Sequence, residues 1–449
     1  MFRKIVNLFV SIVHNYLPDP FLFAGGLTLV VFCAGVAMTG QTPLAMAVHW
    51  GNGAFSLLAF SMQMALVLVT GHTLASTPIV KRFLGYAASI PSSPKMAIIA
   101  VTFIATLGSY INWGFGLVVG ALYARELARK IKGIDYRLLI ASAYSGFVIW
   151  HSGLSGSIPL LLATGGPAVE KATGGVIKGI IPISETLFAP FNVAAVIIIA
   201  LTMPLLNAAM HPEPKDTVSV DPQLLVDEEP RTMPANPTFA DKIENSPVMS
   251  ILIGLVGLAY LGNYFATKGF GALTLDIVNM CFLIAGIMLH GTPRKYLDAF
   301  AIAAKGAAAI ILQFPFYAGI MGMMVGSAKG GTNLAAIMSN FFVDISTVKT
   351  FPFYSFLSAG IVNFFVPSGG GQWAVQAPIV MPAAQQLGVP LSKAAMAIAW
   401  GDQWTNMVQP FWALPALGIA GLGARDVMGY CIIVLLWTGI VASACFYFL

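Results

Sequence analysis

The chain has 449 residues, of which 57% are hydrophobic and only 9% charged, and its mean hydropathy is +0.82. Soluble domains carry roughly 25% charged residues, so a water-soluble globular protein is excluded. The net charge of +5 is that of basic loops at a membrane surface rather than of a nucleic-acid face, and no nucleic-acid partner is expected.

The N-terminal stretch MFRKIVNLFVSIVHNYLPDP has two basic residues and no small-residue cleavage site, so it reads as a retained, interfacial start to the first span. Apolar runs near 21–39, 186–207, 247–267, 272–290 and 427–448 each approach the ~20 residues that cross a bilayer as a helix. Arg3 and Lys4 put the N-terminus on the cytoplasmic side, and the uncharged loop 39–46 falls outside. Lys81, Arg82 and Lys95 return the chain to the inside. The apolar stretch 96–124 is then followed by Arg125, Arg129, Lys130, Lys132 and Arg137, so both of its flanks are cytoplasmic and it must turn within the membrane. Asn112, Gly114 and Gly116 allow that turn.

From about His211 to Glu244 the chain is rich in proline and charge. It holds Glu213, Asp216, Asp221, Asp227, Glu228, Glu229, Asp241 and Glu244, eight of the 18 acidic residues. This polar segment, 208–246, separates a membrane half over 1–207 from another over 247–449. The halves are related. At an offset of 256, Ala141, Ala143, Tyr144, Pro159 and Gly165 fall on Ala397, Ala399, Trp400, Pro415 and Gly421, and Asn112-Trp113-Gly114 falls on Ser368-Gly369-Gly370. At an offset of 250, Thr42-Pro43 and Gln63 fall on Thr292-Pro293 and Gln313. The loop holding Arg294 and Lys295 is basic where its counterpart is uncharged, so the repeats read as inverted. The fold class expected is therefore an all-α polytopic membrane protein, with two inverted repeats, about nine transmembrane helices and two re-entrant helical hairpins.

Two constellations carry the expected chemistry. The second break reads Phe365-Val366-Pro367-Ser368-Gly369-Gly370-Gly371-Gln372-Trp373, where proline ends one arm and the next begins with unpaired amides. Such a helix N-terminus suits an anion such as a carboxylate. Substrate contacts are expected from Ser368, Gly369, Gly370, Gly371 and Gln372, with Asn112, Trp113 and Gly114 at the first break and Ser155 and Ser157 nearby. The alternative reading of the glycines is a tight helix crossing. Asp402, Thr405, Asn406 and Gln409 are spaced i, i+3, i+4 and i+7, and Pro410 and Pro415 should unwind the helix beyond them. With Asn112 they form the expected cation site, which suits Na⁺ at Asp402, Thr405 and Asn406 or a proton on Asp402 itself. The alternative is that Asp402 lies near the membrane surface. Gly146, Ile149, Trp150 and Gly153 occupy the matching face of the first half, so the acid is not duplicated. His72 and His151 read as structural. Gln63 and Gln313 are explained by interhelical hydrogen bonding as well as by substrate contact.

Four cysteines lie scattered in apolar runs without CxxC spacing, and neither GxxxxGK[ST] nor HExxH nor GxSxG occurs. No cofactor beyond a coupling Na⁺ and no enzymatic activity is expected. The stretches LPDP, SMQMALVLVTGH, INWGFGLVVGA, VPSGGGQW and QPFWALPALGIAGLGARDVMGYC resemble the bacterial short-chain fatty acid transporter family over essentially the whole length. The resemblance implies import of acetoacetate or butyrate across the inner membrane. It also implies membership of the wider ion transporter superfamily, by analogy a homodimer working as an elevator. The chain departs from that superfamily's dicarboxylate and aminobenzoyl-glutamate carriers, whose hairpin tips carry Ser-Asn-Thr. Cation symport is the expected mode. The alternatives are an anion uniporter or channel, and a membrane protein that binds fatty acids without moving them.

Overall fold

The computed structural model describes residues 20–225, 236–328, 331–364 and 366–449. Arg3, Lys4, the first three residues of LPDP, the acidic run at 227–229 and Phe365 lie outside the described residues. All regular structure among the described residues is helical.

In the first half these are α1 (Pro20–Thr39), α2 (Pro43–Ala54), α3 (Leu58–Ala75), α4 (Pro78–Ala87), α5 (Pro94–Ile111), α6 (Trp113–Lys130) and α7 (Tyr136–Ser145). A 3-10 segment, Gly146–Ser152, continues α7, and α8 (Ser157–Thr164) and α9 (Pro190–Ala209) follow. α10 (Pro247–Lys268) joins the halves. The second half holds α11 (Leu275–His290), α12 (Pro293–Lys305), α13 (Ala308–Val325), α14 (Leu334–Ile345), α15 (Phe351–Asn363), α16 (Gly369–Leu387), α17 (Leu391–Thr405), α18 (Ala413–Ala420) and α19 (Ala424–Phe448).

Local chemistry sets many of these starts. Thr42, Thr77, Ser93, Ser246 and Thr292 each precede a proline, and each side chain accepts a first-turn amide. The hydroxyl satisfies an orphan N–H while proline presets the helical φ. Among the described residues, seven helical stretches are long and apolar enough to cross a membrane: 58–75, 94–111, 136–164, 190–209, 247–268, 308–325 and 424–448. α10 exposes Ile251, Leu252, Ile253, Leu255 and Val256 in succession. A helix apolar on all sides and open outward is a lipid-facing one.

The repeat read from the sequence sets the helix boundaries. Adding 250 to Leu58–Ala75 gives Ala308–Val325, and adding 256 to Ser157–Thr164 gives Ala413–Ala420. Gly165 and Gly421, the residues that end α8 and α18, both have positive φ. The offset changes because two residues join α3 to α4 whereas eight, 326–333, join α13 to α14. Packing is reciprocal. α1 and α2 lie on α13 while their equivalents α11 and α12 lie on α3, and α8 meets α16 while α18 meets α6. Two copies related by a twofold exchange elements in this way.

The two breaks have matching backbones, Asn112 at φ −153°, ψ 125° and Ser368 at φ −153°, ψ 116°. The hairpins differ in closeness. α5 and α6 lie along one another, whereas α15 and α16 touch over much less of their length. Gly108 and Gly116 permit the first approach, since a Cβ on Gly116 would sit 2.2 Å from the Ser109 amide nitrogen. Their equivalents in the second hairpin are Phe364 and Gln372, too large for that contact.

The polar segment is fastened to the first half. The Val218 amide donates to Asp135 at 2.9 Å, the Tyr136 amide donates to the Val218 carbonyl at 2.9 Å, and Arg129 donates to the Leu225 carbonyl.

Gly116→Ala therefore destabilises the protein by roughly 1–3 kcal/mol, the usual cost of overpacking. Gly262→Ala, with nothing within 4 Å of the new methyl, does not. Thermal unfolding of the two purified variants in detergent checks this.

Candidate functional site

The tips of both hairpins converge on the 3-10 segment and the start of α8. Each tip begins a helix with a polar cap: Asn112 Oδ1 accepts the Phe115 amide at 2.9 Å, and Ser368 Oγ accepts the Gly371 amide at 3.4 Å. At the first tip the Trp113 amide also has a partner, Ser155 Oγ at 3.0 Å. At the second tip the amides of Gly369 and Gly370 have no partner among the described residues. Gly369 lies against His151, Trp150 and Ser157, where an added Cβ would come within 2.5 Å of His151 Cε1. Gly370 and Gly371 are pressed in the same way against Phe60 with Phe314, and against Tyr317.

His151 links the halves. Its Nε2 accepts the Ile158 amide at 3.0 Å, so the ring proton sits on Nδ1, 2.9 Å from Asp402 Oδ2. The contact is thus an N–H···carboxylate hydrogen bond. The other carboxylate oxygen, Oδ1, is buried and without a partner among the described residues, as is Asn406 Nδ2. Asn406 Oδ1 accepts from Trp150 Nε1 at 2.9 Å, and the Asn406 carbonyl accepts from Tyr144 Oη at 2.7 Å. Gln403 Oε1 accepts the amides of His151 and Ser152 at 2.8 and 3.1 Å, while its Nε2 donates to Ser152 Oγ at 2.7 Å. Aromatic rings wall this centre. Trp150 stacks on His151 at 4.1 Å and on Phe147 at 5.5 Å, and Trp113 meets Trp150 at 5.7 Å and Trp412 at 5.0 Å. Trp412 Nε1 donates to the Pro367 carbonyl at 2.8 Å, holding the second tip.

A family model described as short chain fatty acid transporter matches residues 1–449. The chain belongs to the short-chain fatty acid transporter family. A protein of Escherichia coli (strain K12), provisionally named a short-chain fatty acid transporter, is 48% identical over 443 residues, 98% of each chain. One of Haemophilus influenzae, named in the same way, is 45% identical over the whole of both chains. Among solved structures, the fold resembles the YdaH transporter of Alcanivorax borkumensis, with a TM-score of 0.59 at 16% identity over 96% of this chain and 97% of that one. It also resembles MtrF of Neisseria gonorrhoeae, which its report places in a class of antimetabolite efflux pumps. There the TM-score is 0.58 at 14% identity, over 99% of this chain and 97% of that one. The chain is thus a multi-pass membrane protein of a transporter family.

Against the expected site, the structure brings Asn112, Trp113 and Ser155 together at one tip, and Ser157, Ser368 and Gly369 around the other. Gly114 is used for packing, its Cβ position 2.9 Å from the Leu68 backbone. Gln372 turns to its own hairpin, donating to the Ala359 carbonyl at 2.7 Å and to Gln376 at 2.9 Å. Asp402 and Asn406 both face the 3-10 segment, but Thr405 faces α15, donating to the Gly360 carbonyl at 2.8 Å and accepting from Asn363 at 3.0 Å. Gln409 is off that face altogether. α17 ends at Thr405, ahead of both prolines, and Gln409 accepts the Phe411 amide at 3.1 Å. Asp402 is fully buried within the protein. Gln63 donates to Asp276 at 2.8 Å, and Gln313 accepts from Tyr317 within its own helix at 3.0 Å. Of the sequence-level expectations, His151 changes most, because it is the partner of Asp402. Trp150 had a signal, since it is 256 residues from Asn406, and equivalent residues of a repeat meet near its twofold.

His151→Leu leaves Asp402 without its donor, and unfolding of the purified variant should show a loss of roughly 3–5 kcal/mol, the cost of stranding half of a buried pair. The double variant His151→Leu/Asp402→Leu should recover most of that loss.

Proposed function

We propose that the chain imports short-chain monocarboxylates such as acetoacetate and butyrate by cation symport. The observation that carries this reading is the second hairpin tip. Two amides without a partner among the described residues stand at the N-terminus of the 19-residue helix α16, inside an apolar protein and beside two serines, Ser157 and Ser368. That end of a helix favours a carboxylate through its amides and its dipole. A short apolar tail finds its surroundings in the rings of Trp113, Trp150 and Trp412.

Because Gly369 lies directly on His151 and Ser157, an anion reaches these amides only when the tip lifts. Lifting the tip also uncovers the His151 ring that bonds Asp402, which ties anion entry to the state of the carboxylate. In this arrangement Thr405 Oγ1 and Asn406 Oδ1 each accept one hydrogen bond, and Asp402 Oδ1 has no partner among the described residues. A proton on Asp402 is the cation this set takes without disturbing those bonds. The inverted topology with nine spans, an N-terminus in the cytoplasm, residence in the inner membrane, a homodimer and elevator motion of the hairpins complete the proposal, and rest on the family and fold.

Uptake of radiolabelled butyrate and acetoacetate into proteoliposomes, with Na⁺ and pH gradients imposed separately, tests it. Wild type should accumulate substrate under one gradient. Asp402→Asn should lose accumulation by at least ~10-fold, the factor that about 1.4 kcal/mol represents. Equal uptake by both proteins without any gradient would replace symport with uniport.

A further inference from the structure

A place for an oxygen on the substrate's chain follows from two donors that the ring wall leaves open. Trp150 Nε1 donates to Asn406 Oδ1 at 2.9 Å. An indole nitrogen only donates, so this bond fixes which end of the carboxamide faces Trp150, and Nδ2 is the other end. Nδ2 is buried and has no partner among the described residues, and the same holds for Trp113 Nε1 in the adjoining ring. Neither group turns into an acceptor by gaining or losing a proton, so both call for an acceptor oxygen whatever cation is bound.

Both donors border the surface on which the second tip rests. Trp150 and His151 are stacked, with ring centroids 4.1 Å apart and planes within 11° of each other. Gly369 lies over the pair, where a Cβ would meet His151 Cε1 at 2.5 Å and Trp150 Cη2 at 2.8 Å. A carboxylate taken by the Gly369 and Gly370 amides therefore sits at the edge of these two rings. A chain that follows Trp150 from that edge meets Asn406, which Trp150 bonds, and Trp113, 5.7 Å from Trp150. An unsubstituted tail laid there leaves two buried N–H groups without a partner, which costs binding. A carbonyl oxygen has two lone pairs and no hydrogen of its own to place, so it can accept from both.

We propose that Asn406, helped by Trp113, selects a short-chain acid with an oxo oxygen on its chain over the unsubstituted acid of the same length. Asn406 is thereby a substrate residue, and not part of the cation site expected from its spacing to Asp402. The inference rests on the carboxylate site at the second tip, and its test separates the two by scoring a preference between two acids rather than the binding of either. A hydrogen bond that only one of two similar substrates can make discriminates sharply, because the other substrate leaves the polar groups of the site unpaired.

Binding of radiolabelled butyrate to the purified full chain in detergent would be competed by unlabelled acetoacetate or by unlabelled butyrate. The two acids share chain length and carboxylate and differ in the oxo oxygen. Wild type should bind acetoacetate about tenfold more tightly, the factor for giving one buried donor its partner. Asn406→Leu should bring the two acids to within about twofold of each other. Asn406→Asp keeps the oxygen that Trp150 bonds and puts an oxygen in place of the amide donor, so it should lose the preference as well. Structural damage weakens both acids together, and only loss of the contact changes their ratio. A thermal melt establishes which variants are folded. Equal affinity of wild type for both acids, or a preference retained in every variant that folds, would overturn the proposal and leave the carboxylate site standing. Binding of neither acid by folded wild type would overturn both.

Discussion

A helix interrupted inside an apolar protein leaves amides and carbonyls that no water can satisfy, and each half of this transporter supplies partners for the breaks of the other. Where α7 tightens into the 3-10 segment, the amides of His151 and Ser152 are taken by Gln403 of the second half. Where α17 ends, the Asn406 carbonyl is taken by Tyr144 of the first. The carbonyl of Ala420, at the end of α18, goes to Tyr136 of the first half, whereas that of Pro367, before the second tip, is taken within the second half by Trp412. Neither half satisfies all of its own interruptions, so several of these breaks are completed only in the assembled pair. The amides of Gly369 and Gly370 have no partner among the described residues, and a buried polar group of that kind calls for an explanation, for which a ligand is one candidate.

On this shared frame the copies have diverged where function needs asymmetry. Glycines at 108 and 116 seal the first hairpin into a tight pair, while Phe364 and Gln372 keep the arms of the second apart. Gly146 stands where the second half has Asp402, so there is one carboxylate at the centre rather than two. Two buried carboxylates facing each other across the twofold would repel, whereas one carboxylate bonded to a histidine of the other copy gives a single centre.

Much of the architecture was legible because its causes are local. Apolar runs of span length, Ser/Thr-Pro starts and the glycine ends of α8 and α18 are written in short windows, and a repeated fold repeats them at fixed offsets. The breaks at Asn112 and Ser368 were legible for the same reason, while the capping role of both side chains came with the structure. The i, i+3, i+4, i+7 face from Asp402 to Gln409 was misleading because that spacing assumes a continuous helix, and α17 stops at Thr405. Thr405 then turns to the hairpin arm and Gln409 to its own turn.

The sequence by itself determined that this is a helical membrane transporter built from two related halves with a glycine-rich break in each. Hydropathy, capping and repeat offsets act within a few residues or along one chain register, so they can be read without coordinates. Only the tertiary structure decided that His151 holds Asp402 and that Trp150 meets Asn406. It also decided that the three glycines of the second tip lie against rings and a serine from elsewhere in the fold. These contacts join residues up to 256 positions apart. Their partners are chosen by how the two halves interlock, and no local pattern encodes that.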